Sequence, residues 1–132
     1  RQVDDGVLYP CHSIVTQFYV QNQEIDMFCY NRSQDLFLGV PFNIASSALL
    51  LILVSKLTGK TPRFLYFTLG DTHIYSSHID QVRTQLTRIP YKFPEIIVPD
   101  VKNMDDLSKI TSDQFLINSY KYHPGIKAEM VV

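Results

Sequence analysis

With 132 residues, 45% of them hydrophobic, the chain can bury one core and is too apolar for disorder. Twelve basic against thirteen acidic residues leave a formal charge of −1, which excludes a global field for nucleic acid or an anionic membrane, so any anion site must be local. Two cysteines, Cys11 and Cys29, make no disulfide framework of the secreted kind, and Arg1-Gln2-Val3-Asp4-Asp5 lacks the apolar stretch of a signal peptide. A reducing, cytoplasmic setting is therefore expected. The first residue is Arg rather than Met, and the chain is expected to begin inside a longer protein.

In chain order, Ile14 to Val20 is β-branched and aromatic, Gln21 to Glu24 is polar, and Ile25 to Tyr30 returns to apolar, which predicts a hairpin with Cys11 at its mouth. Ile44 to Val54 is the longest apolar run, about eleven residues, against the roughly twenty needed to cross a bilayer. With Pro41 near its start and Thr58-Gly59-Lys60 as a stop, it predicts a helix. Little beyond Ser46 and Ser47 interrupts its apolar surface, so the middle of the core is its expected place. Arg63 to Leu69 predicts a third strand ending at Gly70, which puts His73 and Tyr75 on the connection. Ser76 to Arg88 has helical spacing at Ile79, Val82 and Leu86. Ile96 to Val98 and Phe115 to Ile117 predict short strands around a turn at Asp105-Asp106-Leu107. Neither an internal repeat nor a low-complexity linker divides the chain, so residues 1–132 read as one domain.

Chemistry gathers in a few blocks: Pro10-Cys11-His12, Tyr30-Asn31-Arg32-Ser33-Gln34-Asp35, Gly39-Val40-Pro41-Phe42-Asn43, Gly70-Asp71-Thr72-His73-Ile74-Tyr75 and Tyr122-His123-Pro124-Gly125-Ile126-Lys127. A free thiol titrates near 8.5, so a nucleophilic Cys11 needs a cation, and Arg32 is the candidate. Arg32 and Ser33 suit a phosphate, through a guanidinium fork and a hydroxyl. Asn43 offers both a donor and an acceptor. Cys29 alternates with Ile25 and Met27 and reads as core. Cys11, His12, His73 and His78 have poor spacing for a metal, and no metal is expected. Phosphate-cradling glycine motifs and a protease-type oxyanion arrangement are absent from the sequence.

From about Leu8 to Val132, the order and spacing of these blocks resemble the C-terminal half of thymidylate synthase. The resemblance implies an α+β fold, a mixed β-sheet packed on a central buried helix. It implies the catalytic portion of an enzyme that reductively methylates dUMP to dTMP with 5,10-methylenetetrahydrofolate. Cys11 would add to the uracil ring, with Arg32 and Asp35 as further catalytic residues. Arg32, Ser33, Asp35, Asn43, His73 and Tyr75 would bind the nucleotide, His73 and Tyr75 at the deoxyribose hydroxyl. Leu8, Asp35, Leu38, Gly39, Phe42 and Val131 would meet the folate. The family implies a homodimer packed through its sheets, with no nucleic acid or membrane partner, and a parent chain that in some lineages is fused to dihydrofolate reductase.

Several positions depart from the family pattern. Asn31 stands where a Gln usually precedes the Arg-Ser pair, Ser47 replaces a common Tyr, and Ser119 and Lys121 alter the run before His123. The family's catalytic glutamate, cofactor-facing tryptophans and partner-donated arginines lie upstream of these residues, and the chain has no Trp. On its own it is expected to turn over slowly. A nucleotide hydroxymethylase of the same superfamily and a non-catalytic nucleotide-binding fragment are the competing readings.

Overall fold

The structure is a computed structural model, and it describes residues 14–131. Cys11, Leu8 and Val132 therefore lie outside the described residues. The main sheet has three strands in the order β1-β2-β3, with β1 (Val15–Gln21) antiparallel to β2 (Glu24–Asp35) and β2 parallel to β3 (Thr61–His73). The predicted hairpin is present: Gln21 pairs with Glu24, and Asn22 turns the chain with φ 56°, a left-handed conformation that Asn tolerates better than most residues. Beyond it, both β2 and β3 are longer than expected. β2 continues through Asn31, Arg32, Ser33 and Gln34 to Asp35, and β3 runs past Gly70 to His73. Strand pairing outweighs the polar composition here, because the parallel ladder holds Asn31 opposite Leu69, Ser33 opposite Asp71 and Asp35 opposite His73. His73 is therefore a strand residue, and only Tyr75 lies on the connection.

A parallel pair needs a crossover, and α1 (Val40–Thr58) provides it. Pro41 occupies its first turn, where a missing N–H is harmless. At the other end Gly59, at φ 64°, lets its own N–H reach the Lys56 carbonyl at 3.2 Å and the Lys60 N–H reach the Ser55 carbonyl at 2.9 Å, the double closure of a Schellman motif. The stop read from Thr58-Gly59-Lys60 is thus in place. The helix's position differs from expectation. Its buried residues are Ser47, Leu51 and Ser55, one stripe at intervals of four, while Ile44 and Leu50 remain exposed. Among the described residues it covers one face of the sheet rather than filling the middle of a core. Small serines on that stripe bring the helix close, and the Ser55 hydroxyl donates to the Ile52 carbonyl at 2.6 Å. At 19 residues α1 is long and apolar enough to cross a membrane by length and composition. Its place between two hydrogen-bonded parallel strands, packed on their sheet, is that of a crossover helix.

The core cluster is Ile25, Met27 and Cys29 of β2 with Leu51 of α1, flanked by Val54, Leu65 and Phe67. Cys29 is a buried free thiol, as its alternation implied. The register slips once. Asp26 alone lies between the pairs Ile25–Pro62 and Met27–Leu65, opposite both Arg63 and Phe64. The bulge would orphan an amide, and the Asp26 carboxylate takes it: Oδ1 accepts the Phe64 N–H at 3.1 Å and Arg63 Nε at 2.9 Å, while Oδ2 accepts Arg63 Nη2 at 2.6 Å.

After β3, a 3₁₀ turn (Ser76–His78) leads into α2 (Ile79–Leu86). The remainder holds β4 (Glu95–Ile97), a short helix α3 (Met104–Ser108) where a turn was expected, and β5 (Leu116–Asn118), with β4 and β5 forming a second, antiparallel pair. Asn103 caps α3 by accepting the Asp106 N–H at 2.8 Å.

Candidate active site

The C-terminal ends of β2 and β3 and the N-terminus of α1 meet at one place, the position where open α/β sheets hold ligands. The Leu36 N–H donates to the His73 carbonyl at 3.0 Å, which stitches the chain leaving β2 to the end of β3. Asp35 then turns the chain: its Oδ1 accepts the Phe37 N–H at 2.9 Å and its carbonyl accepts the Gly39 N–H at 3.1 Å. The carboxylate of Asp35 thus has a structural use as well as a place at the site. Gly39 is tightly placed, since a Cβ there would lie 3.1 Å from the Asp35 carbonyl oxygen. One turn into α1, Asn43 Nδ2 donates to Gln34 Oε1 at 3.2 Å. Gln34 is 1% exposed, so this bond fixes the Asn43 carboxamide from a buried, rigid side.

At the end of β3 and just beyond it, the His73 and Tyr75 rings meet edge to face at 5.0 Å, and Tyr75 meets His78 the same way at 5.6 Å. His73 Nδ1 lies 3.7 Å from Asp71 Oδ2, beyond hydrogen-bond range. Arg32 and Ser33 occupy successive positions near the end of β2, Arg32 exposed and Ser33 half-buried. β1 covers β2 only as far as Tyr30 among the described residues, and both lie beyond that cover. Gly70 sits beside this segment. A Cβ on it would lie 2.5 Å from the Arg32 carbonyl oxygen and 3.1 Å from that of Asn31, so the close approach of β3 to β2 requires glycine.

A groove of about 240 Å³ opens alongside, lined by Phe37, Leu38, Pro41, Phe42, Arg88 and Ile126 among others. Leu38 and Phe42 were expected to meet an aromatic cofactor, and Phe42, 78% exposed, offers a ring face there. Val131 is 44% exposed at the end of the described chain. Among the described residues no three His, Cys, Asp or Glu side chains come together to hold a metal.

The structure therefore joins Gln34 with Asn43, Asp35 with Gly39, and His73 with Tyr75, while Cys11 and Leu8 lie outside the described residues. Sequence reasoning missed Gln34, Gly70 and His78 as supports of the site. A polar residue inside a strand that also carries Cys29 on its buried face was the available signal for Gln34; nothing in sequence marks which strand residue a glycine must clear.

An amide pair with its Gln34 side buried and a histidine–tyrosine pair thus stand together where the parallel strands end, in an α+β fold with a mixed sheet. The sequence model of the thymidylate synthase family matches residues 1–132, and the chain belongs to that family. Its general activity is that of the family, a methyltransferase of dTMP synthesis.

Proposed function

We propose that this chain carries the nucleotide site and nucleophile of a thymidylate synthase acting on dUMP, with 5,10-methylenetetrahydrofolate as co-substrate. The Asn43–Gln34 hydrogen bond carries the reading. That bond orients a carboxamide, a group with both a donor and an acceptor, and the imide edge of uracil offers the matching N–H and carbonyl oxygens. Arg32 and Ser33 would take the phosphate, aided by the N-terminus of α1, whose first turn contains no acidic residue. His73 and Tyr75 would bind the deoxyribose hydroxyl. Asp35 would lie between pyrimidine and folate. Cys11, as thiolate, would add to carbon 6 of the uracil ring, and the electron pair then makes carbon 5 nucleophilic towards the one-carbon group of the folate. Leu8, Leu38, Gly39, Phe42 and Val131 would contact that folate, with the groove beside Leu38 and Phe42 apolar enough for a stacked ring.

A homodimer fits the open side of the sheet. By register, Val15, Phe28, Tyr30 and Tyr66 share the face opposite α1, all are exposed, and Phe28 stacks on Tyr66 at 4.4 Å with the planes 7° apart. A cytoplasmic, reducing compartment fits the thiol state of Cys29 and the thiolate that Cys11 requires.

Intact-mass spectrometry with 5-fluoro-dUMP and methylenetetrahydrofolate tests the reading, because the fluorinated ring blocks release of the adduct. A ternary adduct on the parent chain and none on Cys11→Ser is expected. Labelling of both proteins alike, or of neither in a chain that includes its upstream residues, would overturn it.

A further inference from the structure

His78 is 1% exposed, at the 3₁₀ turn between the Tyr75 connection and α2. Its Nε2 lies 2.7 Å from the carbonyl oxygen of Glu129. A carbonyl can only accept, so Nε2 carries a proton. Two aromatic rings flank this imidazole, Tyr75 edge-on at 5.6 Å and Phe37 tilted at 5.6 Å. Tyr75 in turn packs edge-on against His73. One buried ring therefore touches the His73–Tyr75 pair on one side and the C-terminal segment on the other.

The far end of α2 holds the same segment. Arg88 Nη1 donates to the Pro124 carbonyl at 2.8 Å, and His123 Nε2 donates to the Ile89 carbonyl at 2.9 Å. Residues 123–129 thus run antiparallel to α2, tied by Arg88 and His123 at one end and by His78 at the other. Beside the His78 tie a space of about 500 Å³ opens between the start of α2 and the tail, lined by Ser77, Gln81, Lys127, Ala128 and Glu129. Lys127 and Glu129 are exposed, so the hydrogen bonds at its two ends are what tie this stretch of the tail to α2.

We infer that His78 is a positioning residue for the proposed nucleotide reaction: its ring holds Tyr75 against His73, and its Nε2–H fixes the tail that carries Val131. The inference rests on the proposed site for its nucleotide half; the tail half stands on geometry alone.

Two substitutions in the full chain separate the jobs. His78→Phe keeps a ring and loses the donor, whereas His78→Gln keeps an amide donor and loses the ring. Hydrogen exchange of the backbone amides of residues 126–131 is expected to quicken about tenfold in His78→Phe, the worth of one hydrogen bond, and to change little in His78→Gln. Calorimetric affinity for dUMP is expected to fall about fivefold in His78→Gln and to hold in His78→Phe, in keeping with the loss of one edge-on ring pair. If both readouts move together in both variants, in step with lost stability in urea, His78 is a packing residue and the inference is overturned. Where a variant does not fold, nitrogen NMR of the wild-type ring decides: a proton on Nε2 supports the tether and a proton on Nδ1 overturns it. Should the wild type bind no dUMP, the proposed function fails, and the exchange readout alone judges the tether.

Discussion

Asn43 Nδ2 and Gln34 Oε1 are joined across 3.2 Å, and that bond ties the first turn of α1 to the penultimate residue of β2. Gln34 is buried, and replacing it removes the Oε1 acceptor of this Asn43 N–H. Gln34→Leu is expected to lower stability by about 1–3 kcal/mol, read as a urea midpoint, and to weaken dUMP binding by at least as large a factor. Unchanged dUMP affinity in a folded Gln34→Leu protein would show that Asn43 is held by other means.

Asn43→Asp tests substrate choice at the same pair. A carboxylate cannot donate to uracil, but it accepts from the exocyclic amino group of cytosine. Gln34 can rotate its amide and present Nε2 to the new carboxylate, so the position stays supported. The variant is expected to lose dUMP affinity on the order of a hundredfold and to gain dCMP affinity, measured by competition for the site. Equal losses for both nucleotides would place Asn43 away from the base.

Gly70 sets the spacing at Arg32. A methyl group there would stand 2.5 Å from a backbone oxygen of β2, and backbone yields less readily than a side-chain tip. Gly70→Ala is expected to destabilise the fold by about 1–3 kcal/mol and to shift the Arg32–Ser33 segment. Affinity for dUMP should then fall more than affinity for deoxyuridine, since only the former has a phosphate. A parallel loss for both would mean that Arg32 and Ser33 do not hold the phosphate.

How much of this was legible in the sequence depends on which force placed each residue. The hairpin, the start and stop of α1 and the burial of Cys29 follow from local rules: β-branched runs, Pro41, Gly59 and a period of two. Strand length did not follow, because residues 31–35 and 70–73 are polar and stay extended only through the parallel ladder between β2 and β3. The helix was placed too deep, because its apolar surface was read without knowing that Ser47, Leu51 and Ser55 make the contact stripe. Asn43, His73 and Tyr75 were named from motif. Their supports, Gln34, Gly70 and His78, become visible only when strands distant in sequence are laid side by side.

Asp26 gives the fold a pH dependence. The hydrogen bonds from Arg63 hold its carboxyl below the ordinary value of 3.8; burial opposes this, and the Phe64 amide and the Arg63 charge add to the lowering. Arg63 is raised in turn by the same hydrogen bonding. A carboxyl with a depressed folded pKa contributes stability that is fully present above 3.8 and is lost as pH falls through the lower, folded value. The urea midpoint of the wild type is therefore expected to drop between about pH 4 and pH 2, with a shallower drop in Asp26→Asn, which is already weaker at pH 7. Matching slopes in the two proteins would assign the acid sensitivity to other carboxylates.

Ser119, directly after β5, has φ 58°, a left-handed conformation that costs a non-glycine residue about 1–2 kcal/mol. Ser119→Gly removes that strain but widens the unfolded ensemble, a loss of roughly 0.5–1 kcal/mol. The two effects oppose each other and the relief is the larger, so the variant is expected to be more stable by about 0.5–1 kcal/mol, with a higher urea midpoint and an unchanged slope. Ser119→Ala is the control. It keeps the strain and deletes the hydroxyl, so a gain in Ser119→Ala equal to that in Ser119→Gly would trace the effect to the side chain instead of the backbone.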